Sequence, residues 1–250
     1  MKIAQKLKLV NPFTSDVFRE LTYHLWDEVK TQLTISGKIQ KEWKESSIDS
    51  RIEMVQNAID YFKSNADTIA KNIPQQMGKP IKEARNEISG MIQRSDVVCA
   101  LAKDALKDIY LPKLKGFNRF IRRDPLGVVL NISAWNYPLL ITVNIVVPAL
   151  LAGNAVVIKH SSLTPLCAQH FENAFKDAGA PEGLVTALIL DHKTTGSVIQ
   201  SGLVNHVAFT GSVGGGRRIH TSASGLFLNM GLELGGKDPA YVREDANLES

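Results

Sequence analysis

This chain of 250 residues contains only two cysteines, Cys99 and Cys167, and neither stands at a spacing used by a zinc site. A disulfide framework is excluded, no metal is expected, and a reducing, cytoplasmic compartment fits better than secretion. The N-terminus carries Lys2, Lys6 and Lys8 with no apolar run behind them, which argues against a signal peptide. Long hydrophobic runs are missing too. The most apolar stretch, Leu139 to Ile158, is interrupted by Asn144, Pro148, Gly153 and Asn154, and reads as helix, turn and strand, not as a membrane span. Nor is charge concentrated: the net charge is +4, and the densest basic group, Lys113, Lys115, Arg119, Arg122 and Arg123, is interleaved with Phe117, Phe120 and Ile121. That mixture reads as a solvated strand pair and not as a nucleic-acid stripe.

What is present is ordinary for a globular protein with a sizeable core, at 44% hydrophobic and 22% charged residues. The turn cluster from Asn11 to Asp16 predicts a short hairpin. Helical spacing then dominates for about a hundred residues. Ile52, Val55, Ile59 and Phe62 share one face, and Pro74, Gly78 and Pro80 are expected to end that helix. Ile88, Ile92, Ser95 and Cys99 share a face of the next, which makes Cys99 a core thiol. Pro112 to Pro125 loses the helical period and reads as a protruding strand pair. Beyond it, strand-like and helix-like segments alternate from Gly127 to Ser224. Such alternation predicts an α/β fold with a parallel sheet, helices on both faces, and ligands at the carboxyl ends of the strands. Residues 237–250 read as further strand and turn.

Chemistry is suggested at four junctions. Phe209-Thr210-Gly211-Ser212-Val213-Gly214-Gly215-Gly216-Arg217 ends a strand and opens a helix, so its backbone N–H groups suit a diphosphate. Its glycine spacing is neither the dinucleotide fingerprint nor a P-loop, and a tight turn is the competing reading. Lys159, closing the strand from Ala155, offers a cation to an adenosine ribose or its phosphate, or simply reaches solvent. His160 is expected to pack or cap, and Cys167 to pack inside a helix. Asn136, in Ser133-Ala134-Trp135-Asn136-Tyr137-Pro138, is placed to donate to an oxyanion or to cap the following helix beside a buried Trp135. Glu233, flanked by Leu232, Leu234, Gly231 and Gly235, reads either as a base whose apolar company raises its pKa or as a surface residue.

The order of these motifs resembles the aldehyde dehydrogenase superfamily over nearly the whole length. The matching segments are Asn11-Pro12, Pro125-Leu126-Gly127-Val128, Trp135-Asn136-Tyr137-Pro138, Leu151-Ala152-Gly153-Asn154, Phe209-Thr210-Gly211-Ser212 and Glu233-Leu234-Gly235-Gly236-Lys237. The resemblance implies a Rossmann-like fold with an N-terminal helical segment over 1–111, an oligomerisation hairpin over 112–126 and a dinucleotide-binding core over 127–250. It implies Asn136 as oxyanion donor and Glu233 as the base that activates water against a thioester. Lys159 becomes the ribose ligand, Ser212 a diphosphate ligand, and Gly196, Gly211 and Gly216 close-approach glycines. Ile132, Ser133, Trp135, Phe209, Thr210, Leu234 and Gly235 complete the cofactor site. Ser162 stands where many NAD-preferring members have a glutamate, so with Lys159 it admits a 2′-phosphate and NADP as well as NAD. The implied substrate is a small-molecule aldehyde; Met77-Gly78-Lys79-Pro80-Ile81 and Lys159-His160 are similar to semialdehyde-oxidising members.

Family members are about twice as long and use a cysteine nucleophile downstream of the glutamate. No cysteine follows Lys237 here. The resemblance therefore implies the N-terminal half of such an enzyme, truncated before its catalytic domain and inactive alone. A non-catalytic nucleotide-binding or assembly module of the same fold is the alternative.

Overall fold

The computed structural model describes residues 5–247. Lys6–Val10 (β1) and Val17–Thr22 (β2) form the expected antiparallel hairpin. Four helices follow: Trp26–Trp43 (α1), Ile48–Ser64 (α2), Ala66–Met77 (α3) and Ile81–Leu106 (α4). One expectation fails here. The helix bearing Ile52 to Phe62 ends at Asn65, and Pro74 lies inside α3, which stops at a left-handed Gly78. A proline near a helix end forfeits one backbone bond, and the tertiary packing of α3 tolerates that loss.

Ile109–Tyr110 (β3) and Phe120–Ile121 (β4) pair antiparallel. The first of these strands lies before Pro112 and both are short; the bulk of residues 112–119 is loop. The remaining elements alternate: Val128–Ser133 (β5), Pro138–Leu151 (α5), Ala155–His160 (β6), Pro165–Asp177 (α6), Val185–Ala187 (β7), His192–Gln200 (α7), His206–Thr210 (β8), Val213–Ala223 (α8) and Asn229–Glu233 (β9). After Glu233 the described residues form no further strand, contrary to the expectation for the tail. Among the described residues no strand pairs beyond β9, so this polar segment gains no ladder hydrogen bonds there.

The main sheet has the order β7-β6-β5-β8-β9, and every pairing in it is parallel. Alternate residues of β5 serve opposite faces. Val129 packs with α2 to α6, whereas Val128, Leu130 and Ile132 pack with Val198 and Ile199 of α7 and Ile219 of α8. β5 and β6 are buried along their whole length, which explains their unbroken apolar runs. The chain runs outward from β5 to β7 and then returns to β8 on the other side of β5. This reversal opens a crevice at the carboxyl ends of β5 and β8. Among the described residues, no helix is long and apolar enough to cross a membrane.

The entry to β5 depends on one glycine. Gly127 has φ 127°, and a Cβ there would collide with the side chain of Asn205. Asn205 accepts the Val128 N–H through Oδ1 (2.8 Å) and donates its own N–H to the Val128 carbonyl (2.8 Å). Gly127→Ala is expected to cost about 2–4 kcal/mol by combining backbone strain with loss of this clamp. Denaturant unfolding of the variant checks this; a loss within about 0.5 kcal/mol would contradict it.

Candidate functional site

Four strand ends converge on the crevice. β5 delivers Ile132 and Ser133, both buried, and the chain then turns through Ala134 to Tyr137 before Pro138 starts α5. Asn136 and Trp135 stand exposed in this turn, Trp135 at 48%. The expected capping contact is not made: Tyr137 occupies the N-cap position of α5, and no side chain there accepts a backbone N–H. Glu87 of α4 does that work from a distance. Its Oε1 accepts the N–H groups of Leu139 (2.8 Å) and Leu140 (3.2 Å), while Oε2 pairs with Lys79 at 2.5 Å. Lys79 also lies 4.0 Å over the Tyr137 ring.

β6 ends on Lys159 and His160. Lys159 is only 7% exposed, so the reading in which it reaches solvent is wrong. Burial holds its ammonium below the usual lysine range, with the Asp191 charge opposing. Among the described residues it makes no hydrogen bond or ion pair, although a buried cation ordinarily needs one. It lines the crevice instead. His160 packs, as its sequence context suggested. Its Nε2 donates to the Pro138 carbonyl (3.1 Å), and Nδ1 accepts from the Ser161 N–H (3.1 Å) and the Thr164 hydroxyl (2.9 Å).

β8 leads through Thr210 and Gly211 into α8. Ser212 caps that helix, its Oγ accepting the Gly215 N–H at 3.1 Å. The N–H groups of Val213 and Gly214 lie in the first turn, where a helix offers them no partner. A Cβ on Gly211 or Gly215 would sit 2.7 Å from the Phe209 ring, and one on Gly216 would sit 2.6 Å from Leu234. The glycines therefore make room for Phe209 and Leu234. Gly196 of α7 is a contact glycine as well, since its Cβ would lie 3.3 Å from Ser222 Oγ on α8.

Glu233 closes β9, and its carbonyl accepts the Gly211 N–H (3.0 Å). Its carboxylate is exposed, so the described residues do not supply the apolar enclosure that the sequence suggested. The neighbouring leucines, two residues apart, take the opposite side of the chain from Glu233, and the outer edge of β9 pairs with no strand among the described residues.

The crevice has a volume of about 630 Å³. It brings together Ile132, Ser133, Trp135, Asn136, Lys159, Gly196, Phe209, Thr210, Gly211, Ser212, Glu233, Leu234 and Gly235. Two expected members stand outside its lining. Gly216 is buried behind it, and Ser162 is exposed one residue beyond Ser161, which does line it. Sequence reasoning missed His192, Thr195, Arg218 and Ser222. Their signal was present: Gly215, Arg218, Ile219 and Ser222 follow the spacing of one helical face. Cys99 and Cys167 are buried in α4 and α6, and burial pushes both thiols up. Neither lines the crevice.

These groups fit a dinucleotide: a buried cation at one strand end with no ion pair among the described residues, free N–H groups at a helix start, and an amide and a carboxylate lining the same crevice. Residues 2–250 match the model of the aldehyde dehydrogenase family. The chain is 33% identical over 245 residues to 3,6-anhydro-alpha-L-galactose dehydrogenase of Streptomyces coelicolor, covering 98% of this chain and 50% of that protein. It is 32% identical over 241 residues to the succinate semialdehyde dehydrogenase [NAD(P)+] of Escherichia coli, covering 96% and 52%. The crystal structure of succinic semialdehyde dehydrogenase from Streptococcus pyogenes, in complex with NADP+, superimposes with a TM-score of 0.87 at 26% identity, over 93% of this chain and 51% of that one. The chain thus spans about half the length of the curated relatives it matches.

Proposed function

Because this chain belongs to the aldehyde dehydrogenase family, we propose that it supplies the nucleotide-binding and oxyanion-stabilising part of a site that oxidises an aldehyde or semialdehyde to the acid. The observation that carries this reading is the gathering of Lys159, the Gly211 to Gly216 loop, Asn136 and Glu233 around one crevice at the sheet's reversal point. NAD or NADP, when bound, supplies the hydride acceptor. Lys159 holds the ribose end, and the N–H groups of Val213 and Gly214 with Ser212 hold the diphosphate. The Asn136 amide donates to the oxygen that gains charge, and the Glu233 carboxylate takes a proton from water.

Residues 127–250 form the dinucleotide core in this reading, and residues 1–111 cover its helical face. The hairpin at 112–126 serves self-association, supported by exposed Leu114, Phe117, Phe120 and Ile121. Two free, buried cysteines suit a reducing compartment such as the cytoplasm.

One observation favours a second reading, a non-catalytic nucleotide-binding or assembly module: neither cysteine of these 250 residues lines the crevice. The reaction needs a thiolate from elsewhere. These residues alone are expected to bind NAD+ or NADP+ without producing NAD(P)H when an aldehyde is added. Calorimetric titration and absorbance assays of the purified chain check both halves. Failure to bind either nucleotide overturns the nucleotide-site reading, whereas aldehyde-dependent absorbance overturns the need for an outside thiolate.

A further inference from the structure

β7 is the outermost strand on one side of the main sheet, and its free edge is treated differently from residue to residue. Leu184 and Leu188 turn peptide groups to β6, the first accepting the Val156 N–H (2.9 Å) and the second donating to the Ile158 carbonyl (2.9 Å). Alternation along the strand therefore points the peptide groups of Val185, Ala187 and Ile189 away from the sheet. At Ile189 the chain leaving β2 covers them. His24 donates its N–H to the Ile189 carbonyl (3.0 Å), and its Nδ1 accepts the Ile189 N–H (3.0 Å). At Ala187 the cover is a side chain: Glu172 of α6 accepts the Ala187 N–H through Oε1 (3.0 Å). The Val185 N–H and carbonyl and the Ala187 carbonyl find no partner among the described residues.

We propose that this edge is a latent pairing surface for β7 of a second copy of this chain, and that the Glu172 carboxylate keeps it shut. The inference is independent of the nucleotide-site reading. A cavity of about 590 Å³ lies against the edge, lined by Val185 and Ala187 of β7, Gln32 of α1, and Asn173 and Lys176 of α6, so a strand has room to approach. An open strand edge recruits another strand unless something blocks it. This edge is self-complementary. About a two-fold axis through Thr186, Val185 faces Ala187 of the second copy, and each such pair exchanges two hydrogen bonds. Half of those bonds take the Ala187 N–H as donor, and Glu172 already holds it. The carboxylate is committed to this contact, since among the described residues it makes no ion pair. Burial raises its pKa, against the Ala187 N–H and the more distant His24 and Lys176.

Sedimentation velocity over a concentration series on the parent chain, Glu172→Gln and Glu172→Ala tests this, with amide exchange followed by NMR. Glutamine keeps an oxygen for the Ala187 N–H and should behave as the parent does. Alanine uncovers that N–H, and self-association should tighten by at least about tenfold, because a buried donor left unmet favours any strand that meets it. Exchange at Val185 and Ala187 in Glu172→Ala should slow as concentration rises, which separates this edge from association through the hairpin at 112–126. In the parent, the Val185 amide should exchange faster than that of Ala187 at every concentration. Association unchanged in Glu172→Ala, tightening of the same size in Glu172→Gln, or slowing that spares Val185 and Ala187 would each overturn the proposal. So would concentration-dependent protection of Val185 in the parent, a result that does not depend on either variant folding.

Discussion

Glu87→Ala is expected to lower the free energy of unfolding by about 3–5 kcal/mol, the range for removing one partner of a buried ion pair. The Glu87 side chain is 1% exposed and that of Lys79 is 9% exposed. Truncation leaves the Lys79 ammonium unpaired inside the protein and strips the N–H groups of Leu139 and Leu140 of their acceptor. Both losses carry a desolvation penalty that water does not offset. A buried ion pair alone is weak grounds for stability, because an apolar pair of similar volume often does as well. Here the carboxylate also caps a helix, so Lys79→Met combined with Glu87→Leu should recover only part of the loss. Guanidinium unfolding of the single and double variants checks this. A single-variant loss under about 1 kcal/mol, or full recovery in the double variant, contradicts the argument.

Acidification is the second large effect. Burial lowers His160 and His170 from 6.5 to about 4. Both are therefore neutral in the fold while an unfolded chain still takes up protons near the ordinary value. The stability they contribute is fully present above 6.5, declines as pH falls from there, and is gone below about 4. Each accounts for about 3 kcal/mol over that window. On His160 the Pro138 carbonyl at Nε2 opposes the shift, whereas the bonds at Nδ1 act in its direction. His160 Nδ1 accepts two donors, so a proton on it would face the Ser161 N–H and the Thr164 hydroxyl. The His170 ring is held between the Tyr61 hydroxyl (3.1 Å) and the Asn72 side-chain amide (3.2 Å). Urea midpoints should drop steeply between about pH 6.5 and 4.5, with a shallower slope in His170→Asn. A flat profile over that range would sink the assignment.

Much of the sheet was legible because buried parallel strands write themselves as apolar runs, as in Ala155 to Ile158 and Val128 to Leu130. The need for glycine at 211, 215 and 216 was legible as a tight strand-to-helix turn, and it answers to local crowding by Phe209 and Leu234. What escaped was set by distance in sequence. Glu87 reaches the start of α5 across 52 residues, and no local pattern announces that a glutamate of α4 will cap it. Arg218 follows a periodic helical face, but which face meets the crevice depends on α7, itself placed by the sheet order. Lys159 was misjudged for the opposite reason: a lysine at a strand end ordinarily escapes to water, and only the packing around β6 shows that this one does not. Trp135 and Glu233 were expected in apolar surroundings because their neighbours are apolar, yet both sit at strand ends where the chain leaves the core.

Glu87 and His160 grip the beginning of α5 from different elements, one through the Leu139 and Leu140 amides and the other through the Pro138 carbonyl. The backbone just after Asn136 is therefore anchored, while the asparagine side chain itself is exposed. Its remaining freedom is rotation about its own bonds, a picosecond-to-nanosecond motion, and not a slow rearrangement of the chain. Ordering that amide costs only the entropy of a short side chain, well below the about 1–2 kcal/mol needed to fix each backbone residue. The donor proposed at Asn136 therefore stands on backbone that is in place before any ligand arrives.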